Sequence, residues 1–433
     1  MRVLIYSPSV DGHRQIYCRV MAEVLLRAGC DVTIAFASRT RGVRVPAPHL
    51  QPLREREGVR FVDTCDMPAG GLDVDHAGFS TLLEQVRPDA TILAEADNHL
   101  SLLVSQLLPG RHRFSCRVAG VFLRNTNYVH MGRLREPLRD RLGRYRRGWF
   151  RWNKDSYLFH ERLQPRFRLV DVALCLDEAF VAAHPRTHAW LPDIYTPHIL
   201  DEDAARTEAA LHPELIEFLS ANQDRRPLVY FGQAQPRRGY DWLLRLAVEE
   251  DYAFIHLGTI DDAVPYDHDV VSLRQALVAR RAIFETGSYE QSFDVATALF
   301  RAASFVALPY RKHYGSSGMM LQALDAGTRV VVPDEGLMGW RVTNFGLGRT
   351  YVPGSWADFK HVCRAGVATG RAQQGSLVDY LAWFGREQVT DAIEHAAGLR
   401  GEGAHVPDPA AQAVTRTLAW RREASGRRET ATG

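Results

Sequence analysis

The chain opens on RVLIY, a short and almost wholly apolar run, followed by the polar loop SPSVDGH. An apolar-periodic stretch then runs from Ile16 to Arg27, Gly29 closes it, and a second apolar run spans Asp31 to Ala37. A brief continuous apolar run predicts a strand buried on both faces, and recurrence every three to four residues predicts a helix. Strand, loop, helix and strand in such quick succession predict a βαβ unit, and hence a parallel sheet covered by helices. PDATILAEAD and CRVAGVFLRNTN repeat the theme, each apolar run ending in polar residues at the strand end where ligands of such sheets bind. The grammar restarts after Arg226, where PLVYFG reads as strand, QAQPRRG as loop, YDWLLRLAVEE as helix and AFIHLG as strand. ARRAIFET, SFVALPY and TRVVVPD supply later strands.

This pattern predicts an α/β protein with two doubly wound Rossmann-like domains, over residues 1–190 and 226–385. The Pro- and acid-rich stretch 191–225 reads as an interdomain linker with one short helix, the boundary falling near Tyr195. A periodic segment from about Leu377 to Leu399 predicts a helix, so that 386–420 returns to the first domain. Residues 421–433, polar and poor in apolar side chains, read as a mobile tail.

At 433 residues the chain is long enough for two full cores. Hydrophobic residues at 46% and charged residues at 24% exclude a disordered or collagen-like chain. The net charge of +2 points to no nucleic-acid partner, so electrostatic recognition has to be local. Six scattered cysteines without a C-x-x-C pair fit neither a zinc motif nor a disulfide framework, and reduced thiols in a cytoplasm are the expectation. No uncharged apolar run reaches transmembrane length. Lys154, Lys312 and Lys360 are the only lysines, every other basic side chain of that kind being Arg, which fits a bacterial GC-rich genome.

The richest chemistry lies between Ser304 and Gly336. A strand ends at Pro309, Arg311, Lys312 and His313 follow, and Gly315, Ser316, Ser317 and Gly318 open a helix. Small residues at a helix start let an anion approach the free N–H groups, where the helix dipole favours it. The bland alternative is a plain serine N-cap. Helix and following strand carry Ala323-x-x-x-Gly327 and VVVP. This run resembles the donor-binding signature of glycosyltransferase family 4, whose members have the GT-B fold: two Rossmann-like domains facing each other across a cleft. The family's Glu-x7-Glu pair falls on Tyr314 and Gln322, so this chain resembles a divergent branch lacking both acids. Gln322 keeps hydrogen-bonding capacity for ribose hydroxyls, and Tyr314 offers a hydroxyl or a flat face.

VYFGQAQPRRGYDWLL is similar to the family's glycine loop at the start of the donor domain. Gly232 stands at the first glycine, Gln233 replaces the family's Arg, and Arg238 takes the place of its Lys. A guanidinium can bind two phosphate oxygens at once. By the same resemblance the first domain is the acceptor side, Gly12 and His13 belong to a glycine loop facing the cleft, and Asn127 and His130 after CRVAGVFLR face the reacting sugar. Thr286, ending strand IFET before GSYE, faces the base. The resemblance implies transfer of a sugar, hexosyl in type, from a nucleotide-diphosphate sugar to a small-molecule, glycan or lipid-linked acceptor, with retention, no metal and no cofactor beyond that co-substrate.

Other readings remain. Asp73-Val-Asp75 and Asp267-His-Asp269 match the short metal motif of GT-A transferases, although neither follows a clear buried strand. No G-x-G-x-x-G follows either first strand, which disfavours a dinucleotide oxidoreductase. A non-catalytic sugar-nucleotide binder, an isomerase or a non-glycosidic coupling enzyme could share the fold. Between residues 133 and 154, Arg133, Arg135, Arg139, Arg141, Arg144, Arg146, Arg147 and Arg151 flank Trp149, Phe150 and Trp152. That stretch reads as an acceptor-binding surface, with peripheral contact to an anionic membrane as a variant and a solvated helix as the plain alternative.

Overall fold

The computed structural model describes residues 1–7, 13–37, 39–40, 43–44, 48–66, 76–110, 112–123, 159–194, 213–260, 265–266, 268–287, 293–313, 315–368, 377, 380–401, 403, 406–413 and 415. The chain divides into two units, Met1–Tyr195 with Phe384–Gly433, and Thr196–Trp383.

In the first unit, β1 (Arg2–Ser7) and β2 (Asp31–Phe36) bury every residue after their first. Helices on both faces of a parallel sheet produce that pattern, and they explain why the sequence shows continuous apolar runs here and no alternation. Val3 pairs with Val32 on one side and with Ala90 on the other. A two-stranded antiparallel ribbon, β3 (Arg39–Thr40) with β4 (Val43–Arg44), lies apart from the main sheet. The main sheet adds β5 (Val59–Asp63), β6 (Ala90–Leu93), β7 (Arg117–Phe122), β8 (Val172–Cys175) and β9 (Ala189–Trp190). Its order is β5-β2-β1-β6-β7-β8-β9, all parallel. The chain reverses its direction of winding between β1 and β6, and there Arg14 pairs with the buried Glu95.

The predicted helix over 377–399 is interrupted: residues 383–385 form a turn, and Gly385, in extended backbone, precedes a helix over Arg386–Ala397. Val389, Ala392, Ile393, Ala396 and Ala397 form its buried stripe, set against β7 and the His13–Arg27 helix of the first unit. Arg117 donates from Nε to the Ala396 carbonyl at 3.1 Å and from Nη2 to that of His395 at 3.2 Å. A cation there satisfies carbonyls left open by the helix end and opposes the negative end of its dipole.

The second unit carries β10 (Pro227–Phe231), β11 (Ala253–Leu257) and β12 (Ile283–Glu285) in one parallel set. A second set holds β13 (Val306–Ala307), β14 (Val330–Pro333) and β15 (Gly348–Tyr351). β10 lies beside β13, so the strands run β12-β11-β10-β13-β14-β15. The loops leaving β10 and β13 start from neighbouring strands, and the crevice at such a strand junction is where doubly wound sheets take ligands. Among the described residues no helix is long and apolar enough to cross a membrane.

Candidate functional site

The loop after β10 is shaped by two glycines. Gly232 has φ +96°, and a methyl group on it would stand 3.1 Å from Nη1 of Arg238, so the guanidinium lies against the bare backbone. Tyr230 donates its hydroxyl to the Gln233 carbonyl at 2.9 Å, and the Gln233 side chain accepts from Gln235 at 2.9 Å. After a single turn over Pro236–Arg238, Gly239 adopts the left-handed conformation and starts the Tyr240–Glu250 helix.

The loop after β13 is fastened to it. The Arg311 amide donates to the Arg237 carbonyl at 2.7 Å, and Arg311 Nη2 reaches both oxygens of the wholly buried Asp241 at 2.9 and 2.7 Å. Arg311 is therefore committed to holding two loops together. His313 lies close to Arg237 and Arg238; burial, reinforced by those two charges, depresses its pKa to about 4 against the hydrogen bond to Ser316. As a neutral imidazole it donates from Nε2 to the Ser316 carbonyl at 3.0 Å.

The helix beyond runs Gly318–Asp325. Ser317 is its N-cap, accepting from the Met320 amide at 3.4 Å, so the plain capping role is also filled. Ser316 Oγ accepts from Arg341 Nη1 at 2.7 Å. Arg341 belongs to the helix Gly336–Phe345 and is 0% exposed, a buried cation at the mouth of a helix N-terminus. One turn into the Gly318–Asp325 helix sits Gln322, 1% exposed, with neither Oε1 nor Nε2 bonded among the described residues. Buried amides in native proteins are nearly always paired, so a bare one just inside the helix that follows the β13 loop marks a place for a polar partner.

β11 and β12 brace the same crevice. His256 Nε2 lies 3.1 Å from the Gly232 carbonyl, and Nδ1 stands 3.7 Å from Glu285 Oε1, an ion-pair separation longer than a hydrogen bond. Glu285 accepts from Tyr240 Oη at 2.8 Å and from Arg274. Burial pushes its carboxyl up, but His256, Arg274 and Tyr240 together hold it down at about 2. Thr286 Oγ1 accepts from the Gly258 amide at 3.1 Å, with Gly258 packed on the Gly232 carbonyl.

Of the residues expected from sequence, the structure gathers Gly232, Gln233, Arg238, Gly315, Ser316, Ser317, Gly318 and Gln322 on the two loops flanking the β10/β13 crevice, with Thr286 on the adjacent strand end. Gly12, Asn127, His130 and Tyr314 lie outside the described residues, as do residues 133–154, Asp73, Asp75 and Asp267. His13 opens the first helix, its side chain also outside them. Asp269 caps the Val270–Ala279 helix, accepting from the Ser272 amide at 3.0 Å and its hydroxyl at 2.6 Å. Arg341, His256 and Glu285 were missed, because a single polar residue in an apolar helix or at a strand end carries no motif.

No family model matches the chain, and no curated protein matches it in sequence. Solved structures do. A sucrose-phosphate synthase from Thermosynechococcus elongatus is 13% identical at a TM-score of 0.56, over 90% of this chain and 96% of its own. WaaG, a glycosyltransferase involved in lipopolysaccharide biosynthesis, is 14% identical at 0.55, over 92% and 99%. Anabaena HepE, solved with UDP and glucose, is 12% identical at 0.53, over 97% and 99%. The chain thus has a GT-B type α/β fold.

Proposed function

We propose that this protein is a glycosyltransferase of the family 4 type, moving a hexosyl group from a nucleotide-diphosphate sugar to an acceptor hydroxyl. The observation that carries the reading is Gln322: a buried amide without a described partner, one turn below the N-terminus of the helix that follows the β13 loop. A ribose diol offers the donors and acceptors that this amide lacks. The diphosphate then falls between Arg238 and the N–H groups opened by Gly315, Ser316, Ser317 and Gly318, while His313 is held neutral beside it. As the bond from the anomeric carbon to the diphosphate oxygen breaks, Arg238 and the helix start stabilise the charge growing on that oxygen.

Retention follows in this reading, the departing phosphate taking the acceptor proton on the same face, with no metal in the step. Asn127 and His130 serve the reacting sugar, and the basic stretch 133–154 serves a small-molecule, glycan or lipid-linked acceptor. Likeness to HepE, which was solved with UDP and glucose, supports trying uridine donors first.

The test is a panel of UDP-, GDP- and dTDP-sugars read by nucleotide release and product analysis. One nucleotide class is expected to turn over saturably, and Arg238→Ala to lower kcat/KM by about 10²–10³-fold. Saturable nucleotide binding with no release for any sugar would make the protein a binder only, and an unaffected Arg238→Ala enzyme would remove the diphosphate assignment.

A further inference from the structure

Away from the crevice, three segments of the first unit meet in a buried cluster. His160 comes from the turn of π-helix Phe159–Leu163, Cys175 ends β8, and His188 directly precedes β9. All three are buried, and one ring nitrogen of each histidine and the Cys175 sulfur lie within 4.8 Å of one another. His160 Nδ1 is 2.8 Å from His188 Nε2, and Thr187 Oγ1 is 2.8 Å from His188 Nδ1. His160 Nε2 has no partner among the described residues. Phe122 meets the His160 ring edge-on at 4.5 Å and Phe180 lies 5.6 Å away.

We propose that His160, Cys175 and His188 form a binding site for a zinc-type divalent cation. Two imidazoles and a thiol are the ligand set such ions prefer. Thr187, accepting from His188 Nδ1–H, leaves Nε2 directed at the cluster, the usual arrangement behind a ligating histidine. On binding, the Cys175 thiol releases its proton to solvent as the sulfur–metal bond forms, and the proton that His160 Nδ1 shares with His188 Nε2 is exchanged to His160 Nε2, which has no partner among the described residues. The two freed nitrogens move apart from 2.8 Å to about 3.3 Å, the separation that metal–nitrogen bonds of about 2.0 Å impose in a tetrahedron. The ion would tie a helical turn to two strand ends. The ligands fall 15 and 13 residues apart, outside any short zinc motif, which is why the sequence does not announce them.

The full chain, stripped with a chelator and titrated with Co²⁺, tests this. One equivalent is expected to bind, with a water completing the three protein ligands, the visible bands of tetrahedral cobalt and a near-ultraviolet thiolate charge-transfer band, and Zn²⁺ should displace it. Cys175→Ser should abolish the charge-transfer band, and Thr187→Val should weaken cobalt binding by about 10–100-fold. Should Cys175→Ser fail to fold, the wild-type titration and Thr187→Val still decide. A wild-type chain that binds no cobalt, a charge-transfer band that survives Cys175→Ser, or Thr187→Val binding cobalt as tightly as wild type overturns the proposal and leaves a neutral hydrogen-bonded histidine pair.

Discussion

Gln322 sets a cost to the folded protein against the donor contact proposed for it. Its amide is desolvated without a described partner, and replacing such a group by an apolar one of similar size is neutral or stabilising. Gln322→Leu is accordingly expected to raise stability by up to about 1 kcal/mol in the absence of ligand. The same change should weaken binding of the donor nucleotide by about tenfold or more, the loss of one or two hydrogen bonds. Thermal melts and calorimetric titration check both halves; a variant that is destabilised and binds normally would make Gln322 an ordinary core residue. The sequence exposed this position only through its place in a motif, since one Gln in MMLQALDAG differs little from a solvated helix residue. Its burial depends on how the helix packs in the sheet, which periodicity over eight residues does not settle.

At the scale of elements, the crevice is built by locking two loops to one another. Gly239, with φ +67°, sits so close to the β13 loop that a methyl group would fall 2.2 Å from the Pro309 carbonyl oxygen. Gly239→Ala therefore forces the loops apart and strains the backbone, and it should cost at least about 2 kcal/mol. The measurement is a denaturant melt with nucleotide titration alongside; a variant as stable as wild type with unchanged affinity would show that the loops are not coupled. The Arg-Arg-Gly of this loop was legible as a candidate because it follows a strand. The partners that hold it, Asp241 with Arg311 and His256 with the Gly232 carbonyl, were not. Asp241 is 70 residues from Arg311, and no local pattern marks a pair brought together by crossing strands. Strand SFVALPY shortened for a related reason: only Val306 and Ala307 keep strand pairing, and the chain past Leu308 is drawn toward the β10 loop.

For the molecule as a whole, acid should weaken the second unit in two windows. His313 has its folded pKa lowered to about 4, so the unfolded chain takes up that proton first. Its contribution is complete above about 6.5 and is lost as pH falls toward 4. Glu285, held at about 2, contributes fully above about 4.5 and is lost as pH falls toward 2. Scanning calorimetry from pH 7 to 3 should show the melting temperature falling through both windows, with His313→Gln flattening the upper one and Glu285→Gln the lower. An unchanged upper window in His313→Gln would place its titration elsewhere. The two-domain α/β plan was readable from the opening strands and the restart of the same pattern after Arg226, because parallel strands buried on both faces write themselves as apolar runs. The closing helix was placed less well, since Gly385 interrupts an otherwise continuous periodicity. That helix has a further consequence. Its stripe from Val389 to Ala397 completes the first unit, yet it leaves the ribosome after all of the second, whose strands are contiguous from Pro227 to Tyr351. During synthesis the usual N-terminal-first order is thus inverted: the domain begun first is the one finished last, and a fragment ending at Tyr195 would emerge with its β7 flank bare.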